Sequence, residues 1–267
     1  MFYIVEKMKP DIGIQSVTRA IAILSLFTHR RPRLGITEIS RILNLPKGTV
    51  HGLARTLLNE GFLQQDLETR KYQLGFKIYE MGSILAGNLE INQKSTGPAN
   101  RLAKSTNLIS RVAIWDGDSA LITLIADPLS NSRFVHQIGP RIPAYCSSVG
   151  KAILAFLSDQ ELKAYLSRTE LVPYTPKTIV RKERLLRELQ QTRQRGFSID
   201  REETALGLAC IGAPIFGRGG NLEASLSLSG DPERFQGKQS KSLYEKLLKT
   251  TGEISRAMGY FPEALKV

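Results

Sequence analysis

The chain has 267 residues, 42% hydrophobic and 23% charged, with 37 Lys and Arg against 25 Asp and Glu, a formal charge of +12. Such a length predicts two domains, and the composition excludes disordered and fibrous classes. Two cysteines give no disulfide framework, no apolar run is long enough to span a bilayer, and the opening MFYIVEKMKPDIG has acids and a proline where a signal peptide needs an unbroken apolar core, so the cytoplasm is the expected compartment.

Ser16 is placed to cap a helix through VTRAIAILSLF, with Val17, Ala20, Ile21, Leu24 and Phe27 as its apolar stripe. THRRPRLG interrupts it, and residues 36–43 form a short helix burying Ile36, Ile39 and Leu43. After Asn44-Leu45-Pro46, where proline suits a first helical turn, a third helix covers 47–59 with Val50, Leu53, Ala54, Leu57 and Leu58 inward. Gly61 suits a left-handed terminus. Residues 62–66 and 71–74 read as strands about a polar turn at 67–70. Helical periodicity returns over 76–89 through Ile78, Met81, Leu85 and Leu89, although Gly82 and Gly87 weaken it. A longer helix is expected around 95–107.

The second half alternates. Strands are predicted at 111–115 and 120–126 about an Asp116-Gly117-Asp118 turn, and again at 134–137. Helices follow at 148–157, 159–167 and 180–195. Strands at 209–214 and 222–229, joined by a turn at 217–220, precede a closing helix at 238–258. The fold class is α/β (α+β), with a largely antiparallel sheet and flanking helices.

Two helices joined by a short turn are the unit that presents its second helix to DNA, and the B-form major groove admits one helix. The outward side of 47–59 shows Lys47, Gly48, Thr49, His51, Gly52, Arg55, Thr56 and Asn59, with no acid before Glu60. Small residues let the backbone come close, and Arg55 matches guanine, worth about 1–3 kcal/mol of discrimination where it reaches a base, or else grips phosphate. Arg70 and Lys71 sit at the tip of a wing, and Thr37 opens the preceding helix; both places suit backbone contact. Residues 1–80 hold twelve Lys and Arg against seven acids, a denser excess than in the remainder. The same features also suit a protein-interaction module with a solvated basic face. His29 and His51 lack the neighbours of a metal site.

In the second half, Cys146 precedes a helix, whose N-terminus lowers a thiol pKa, which keeps a cysteine-dependent hydrolase as a remote reading. His136 is the one histidine beyond residue 51. GRGGN lacks the lysine of a phosphate loop. Ser227 and Ser229 share one strand face, polar within an apolar stretch, and need either backbone or ligand partners. Asp200 lies ten residues before Cys210, with Glu202 and Glu203 between as ligand groups or surface residues of a loop.

IQSVTRAIAILSLF, GITEISRILNLPKGTVHGLARTLLNEGFL, YQLGFKIYEMG, GPRIPAYCSSVGKAILAFL, GFSIDREETALGLACIGAPIF and GNLEASLSLSG, in that order and spacing over roughly 14–258, resemble the IclR-type transcriptional regulators. The resemblance implies a winged helix-turn-helix DNA-binding domain at 14–75, a linker helix at 76–90 and a GAF-like effector-binding domain at 91–260. It implies homodimers or homotetramers on a pseudopalindromic operator in double-stranded DNA, with no cofactor and no metal. By position, the effector pocket falls to Tyr145, Ser148, Val149, Asp200, Cys210, Ser227 and Ser229, with amides of 148–151 placed for a carboxylate. Four positions depart from the usual pattern: Gly48 replaces serine, Gly52 arginine, Tyr145 histidine and Gly212 alanine. The expected function is a ligand-responsive regulator, a repressor ahead of an activator, sensing a small organic acid. The apolar stripe of 76–89 is expected at a dimer contact.

Overall fold

The structure, a computed structural model, describes residues 13–128 and 141–262. The strand expected at 134–137, with His136, lies outside them. The chain forms two compact units, one ending at Gly87 and one beginning at Asn88.

The first unit runs α1 (Gln15–Ser25), α2 (Ile36–Leu43), α3 (Lys47–Asn59), β1 (Leu63–Gln65), β2 (Tyr72–Leu74) and α4 (Phe76–Asn88). Ile23, Leu34, Ile39, Val50, Ala54, Leu63 and Tyr72 form its core. Ser16 is not the cap of α1. Ile14 holds that position without a side-chain bond. The apolar stripe is also rotated from expectation, since Ile23 is buried whereas Val17 and Ile21 are 52% and 57% exposed. So small a core covers one narrow face of α1, and Ile23 with Phe27 fills it. Glu38 accepts the Gly35 amide at 2.7 Å, Asn44 turns left-handed (φ 52°) after α2, and Ser40 Oγ donates to the Leu45 carbonyl at 2.6 Å. These bonds hold the turn between α2 and α3. Pro46 stands at the N-cap of α3, one place before the first helical residue. β1 and β2 pair antiparallel, and Leu34 adds a bridge to Tyr72.

The second unit runs α5 (Glu90–Thr106), β3 (Ile109–Trp115), β4 (Ala120–Ala126), β5 (Arg141–Ile142), α6 (Ser148–Leu154), α7 (Asp159–Arg168), α8 (Lys182–Arg195), β6 (Ser198–Arg201), β7 (Ala209–Phe216), β8 (Leu222–Gly230) and α9 (Gly237–Ala257). α5 begins earlier than its periodicity suggests and continues through Pro98. Burial of Ile91, Ala99, Leu102 and Ala103 offsets the lost backbone bond. The sheet has the order β5-β4-β3-β8-β7-β6 with every pairing antiparallel. The edge strands β5 and β6 were not expected from the sequence, being short and charged.

The sheet has two unlike faces. Ala224, Leu226 and Leu228 of β8 join Ile211, Ala213 and Ile215 of β7 in a core shared with α5 and α9. The alternate residues Ser225, Ser227 and Ser229, with Cys210 and Gly212, lie on the other face. α6 belongs to that second face, where Val149, Ile153 and Leu154 pack with Ala113 and Ile122. Its approach is very close. A Cβ on Gly212 would stand 2.6 Å from the Ser148 carbonyl oxygen, and one on Gly150 2.2 Å from the Ala144 Cα. Arg193 caps the far end of α6 by donating to the carbonyls of Ala155 and Leu157. Gly212→Ala is therefore expected to destabilise the second unit by about 1–3 kcal/mol by overpacking. Urea unfolding would show this as a lower midpoint at unchanged slope; an unchanged midpoint would contradict the close contact.

Candidate functional site

The first candidate surface is the outward side of α3. Lys47, Gly48, His51, Gly52, Arg55, Thr56 and Asn59 are all exposed, and Thr49 is partly so, while Val50, Ala54 and Leu57 anchor the helix from below. Neither Lys47 nor Arg55 has an ion-pair partner among the described residues. A Cβ on Gly48 or Gly52 would meet nothing within 4 Å, so the protein's own packing does not require either glycine. A groove of about 460 Å³ separates α3 from the wing. Thr37, Glu38, His51, Gln65, Arg70 and Lys71 line it, so the structure gathers four of the residues expected to meet DNA.

The wing tip is held by local bonds. Asp66 Oδ1 accepts from the Thr69 amide at 2.7 Å and the Thr69 hydroxyl at 2.8 Å, and these bonds hold its carboxyl below the usual range. Arg70 adopts a left-handed conformation (φ 56°) that turns the chain there. Lys71 lies 3.4 Å from Glu38, an exposed pair of little energetic weight that a phosphate can displace. The Gly35 amide, then Lys71, lowers the Glu38 carboxyl.

The second candidate lies where α6 meets the serine face of the sheet. Tyr145, Ser148, Val149, Asp200, Cys210, Ser227 and Ser229 are all buried. Asp200, Cys210 and Ser229 stand side by side across β6, β7 and β8. Hydroxyls of Ser148 and Ser229 reach the Cys210 sulfur. Ser198 Oγ donates to the Ser148 carbonyl at 2.5 Å, and Ser225 Oγ to that of Val149 at 3.0 Å. The structure thus brings Ser148, Asp200, Cys210 and Ser229 together, with Ser227 in the next row.

The Tyr145 hydroxyl donates to the Val172 carbonyl at 2.7 Å. The α6 amides are also partly spent: Ser147 Oγ accepts from Gly150 N, and Ser147 O from Lys151 N. Asp200 uses both oxygens on the loop that follows β6, accepting the Glu203 amide at 2.7 Å and the Thr204 hydroxyl at 2.8 Å. Burial nevertheless raises its pKa, as it does that of Glu203.

The nucleophile reading of Cys146 meets the opposite electrostatics. Burial, then the carboxyls of Asp200 and Glu203, push its thiol up to about 12. Burial takes Cys210 to about 12 as well. Both are thiols at neutral pH, poor nucleophiles. Among the described residues no group of three or more His, Cys, Asp and Glu is placed to hold a metal ion.

Sequence reasoning missed the most costly feature of this site. Lys151 is fully buried, with Nζ bonded to Glu203 Oε1 and, at 2.5 Å, to the Ile199 carbonyl. Among the described residues Glu203 Oε2 has no partner. The signal was present, since a lysine inside VGKAILAF falls on no solvent face, but its acid lies 52 residues away on a loop whose burial cannot be read locally.

Known proteins share this architecture. The model for the IclR helix-turn-helix domain matches residues 16–67, and that for the C-terminal domain of bacterial transcriptional regulator IclR matches 84–256. The transcriptional regulator XynR of Escherichia coli is 35% identical over 92% of this chain and 98% of its own length. The transcriptional repressor AllR of the same organism is 30% identical over 92% and 91%. The crystal structure of Thermotoga maritima IclR superposes with a TM-score of 0.74, at 28% identity, covering 93% of this chain and all of that one. Both domains and nearly the full length are accounted for, and the chain belongs to the IclR family of bacterial transcriptional regulators.

Proposed function

We propose that this protein is a repressor that reads a pseudopalindromic operator through α3 and its wing and responds to a small organic acid held between α6 and the serine face of the sheet. The observation that carries the reading is the outward side of α3, which is exposed, basic and free of acids above a fully apolar anchor. Lys47, Thr49, His51 and Arg55 face the groove of DNA, with Gly48 and Gly52 letting the backbone approach. Thr37, Arg70 and Lys71 hold phosphates on either side. The naming of AllR as a repressor supports the direction of control. Such a protein works in the cytoplasm, and no described helix is long and apolar enough to cross a membrane.

The domains proposed are 14–75 for DNA, 76–90 as linker and 91–260 for the effector. α4 buries none of its residues, and Phe76, Tyr79, Met81, Ile84 and Leu85 are exposed, as are Ile14, Val17 and Ile21 of α1. So much exposed apolar surface on one small unit fits a two-fold contact with a second copy, which sets paired reading helices about one helical turn apart on DNA. At the effector site Ser148, Val149, Asp200, Cys210, Ser227 and Ser229 contact the ligand, and Tyr145 supports the wall from behind.

Three outcomes are expected. Arg55→Ala lowers affinity for the DNA upstream of the protein's own gene about 10–100-fold in an anisotropy titration while leaving binding to random duplex nearly unchanged; equal effects on both duplexes would reduce Arg55 to a phosphate contact. Leu85→Glu converts the assembly to smaller species in sedimentation and abolishes tight operator binding, whereas an unaltered mass would remove α4 from the interface. Asp200→Ala weakens the best organic acid from a calorimetric screen about tenfold, and identical affinities for both proteins would deny Asp200 a ligand role.

A further inference from the structure

The serine face of the sheet carries a cation that the family resemblance does not indicate. Arg111 of β3 pairs with Ser227 of β8 and with Ile125 of β4. It alternates with Val112, which lies in the α5 and α9 core, and shares a face with Ala113 across a bulge, where α6 packs. Its side chain is therefore on the Cys210 side, and Cys210 and Asp127 are the titratable groups that act on it. Arg111 is partly buried, and burial disfavours its charged form. Yet among the described residues its guanidinium makes no hydrogen bond and has no acid within salt-bridge distance.

Three other arginines of the second unit are spent. Arg193 caps α6, Arg195 holds Glu188, and Arg234 donates to the Thr106 carbonyl at 2.9 Å. An arginine cannot shed its proton to escape the cost of burial, and its planar fork matches a carboxylate. Of the hydroxyls nearest in register, that of Ser229 is turned to the Cys210 sulfur, whereas that of Ser227 makes no hydrogen bond among the described residues. Ser227, opposite Arg111, and Ser229 are both buried, and among the described residues neither gives a hydrogen bond to backbone, unlike Ser225.

We propose that Arg111 is the anion-binding residue of this pocket, receiving the carboxylate of the effector while Ser227 and Ser229 hydrogen-bond the same molecule. This rests on the reading of the serine face as the effector site. It moves the carboxylate from the α6 amides, two of which are already bonded, to the opposite end of the cluster. Arg111 and Asp200 are three strand spacings and two residues along the strand apart, roughly 16 Å between backbones. A ligand lying between them offers a carboxylate at one end and a hydroxyl hydrogen at the other, which describes a hydroxy acid.

The test uses the full-length protein with a panel of small aliphatic and aromatic hydroxy acids, each beside its primary amide, followed by calorimetry and thermal unfolding. Wild type binds at least one acid tenfold or more tightly than its amide. Arg111→Met abolishes that preference, and without ligand it unfolds at or above the wild-type temperature because an unpaired cation has been removed. Ser227→Ala weakens acid and amide by similar factors. If Arg111→Met keeps the preference, or the ligand-free variant unfolds several degrees lower, Arg111 is a structural cation and the proposal is overturned. In that case a weakened Ser227→Ala preserves the pocket itself, whereas unchanged binding in both variants removes the pocket reading too. A wild type that no acid in the panel stabilises also overturns the carboxylate assignment.

Discussion

The alternation of leucine and serine along β8 is the constraint on which the second unit depends. Leu226 and Leu228 commit one face to the α5 and α9 core, so Ser225, Ser227 and Ser229 must face the other way. A one-residue slip would bury three hydroxyls among leucines and expose the leucines to α6. The register cannot drift, and polar groups are delivered to one place without any loop having to hold them there. The serine face thereby lies on a central strand paired on both sides.

Close approach of α6 completes that arrangement. Gly212 and Gly150 remove the side chains that would hold the helix away, and the helix then buries Lys151 against Glu203 and the Ile199 carbonyl. Breaking such a pair by removing one partner leaves an uncompensated charge, typically a loss of 3–5 kcal/mol. The pair ties α6 to β6, which carries Asp200, and to the loop after it, which the Thr175 and Thr178 hydroxyls also hold through the carbonyls of Glu202 and Glu203. Elements distant in sequence are thereby held together around the serine face.

Legibility in the sequence followed the range of the interactions. α2, α3 and the wing were legible because caps, a proline turn and short-range periodicity decide them. The serine face of β8 was legible from its period of two. What escaped was decided by partners far along the chain. Val17 and Ile21 fit the stripe of α1, yet the core chose Ile23. β6 is four residues of SIDR, without strand character until β7 supplies its hydrogen bonds. Arg111 reads as an ordinary strand-surface residue until β8 and β4 enclose it on both sides.

The two units differ in how complete they are. The second closes its hydrophobic surface over both faces of its sheet, whereas the first leaves most of α4 and one side of α1 uncovered. Apolar area on that scale favours association by about 25 cal/mol per Å² buried, less the cost of ordering the partners. Coupled association and DNA binding then share one free energy. A molecule bound in the second unit changes DNA affinity only to the extent that it binds one arrangement of subunits more tightly than another.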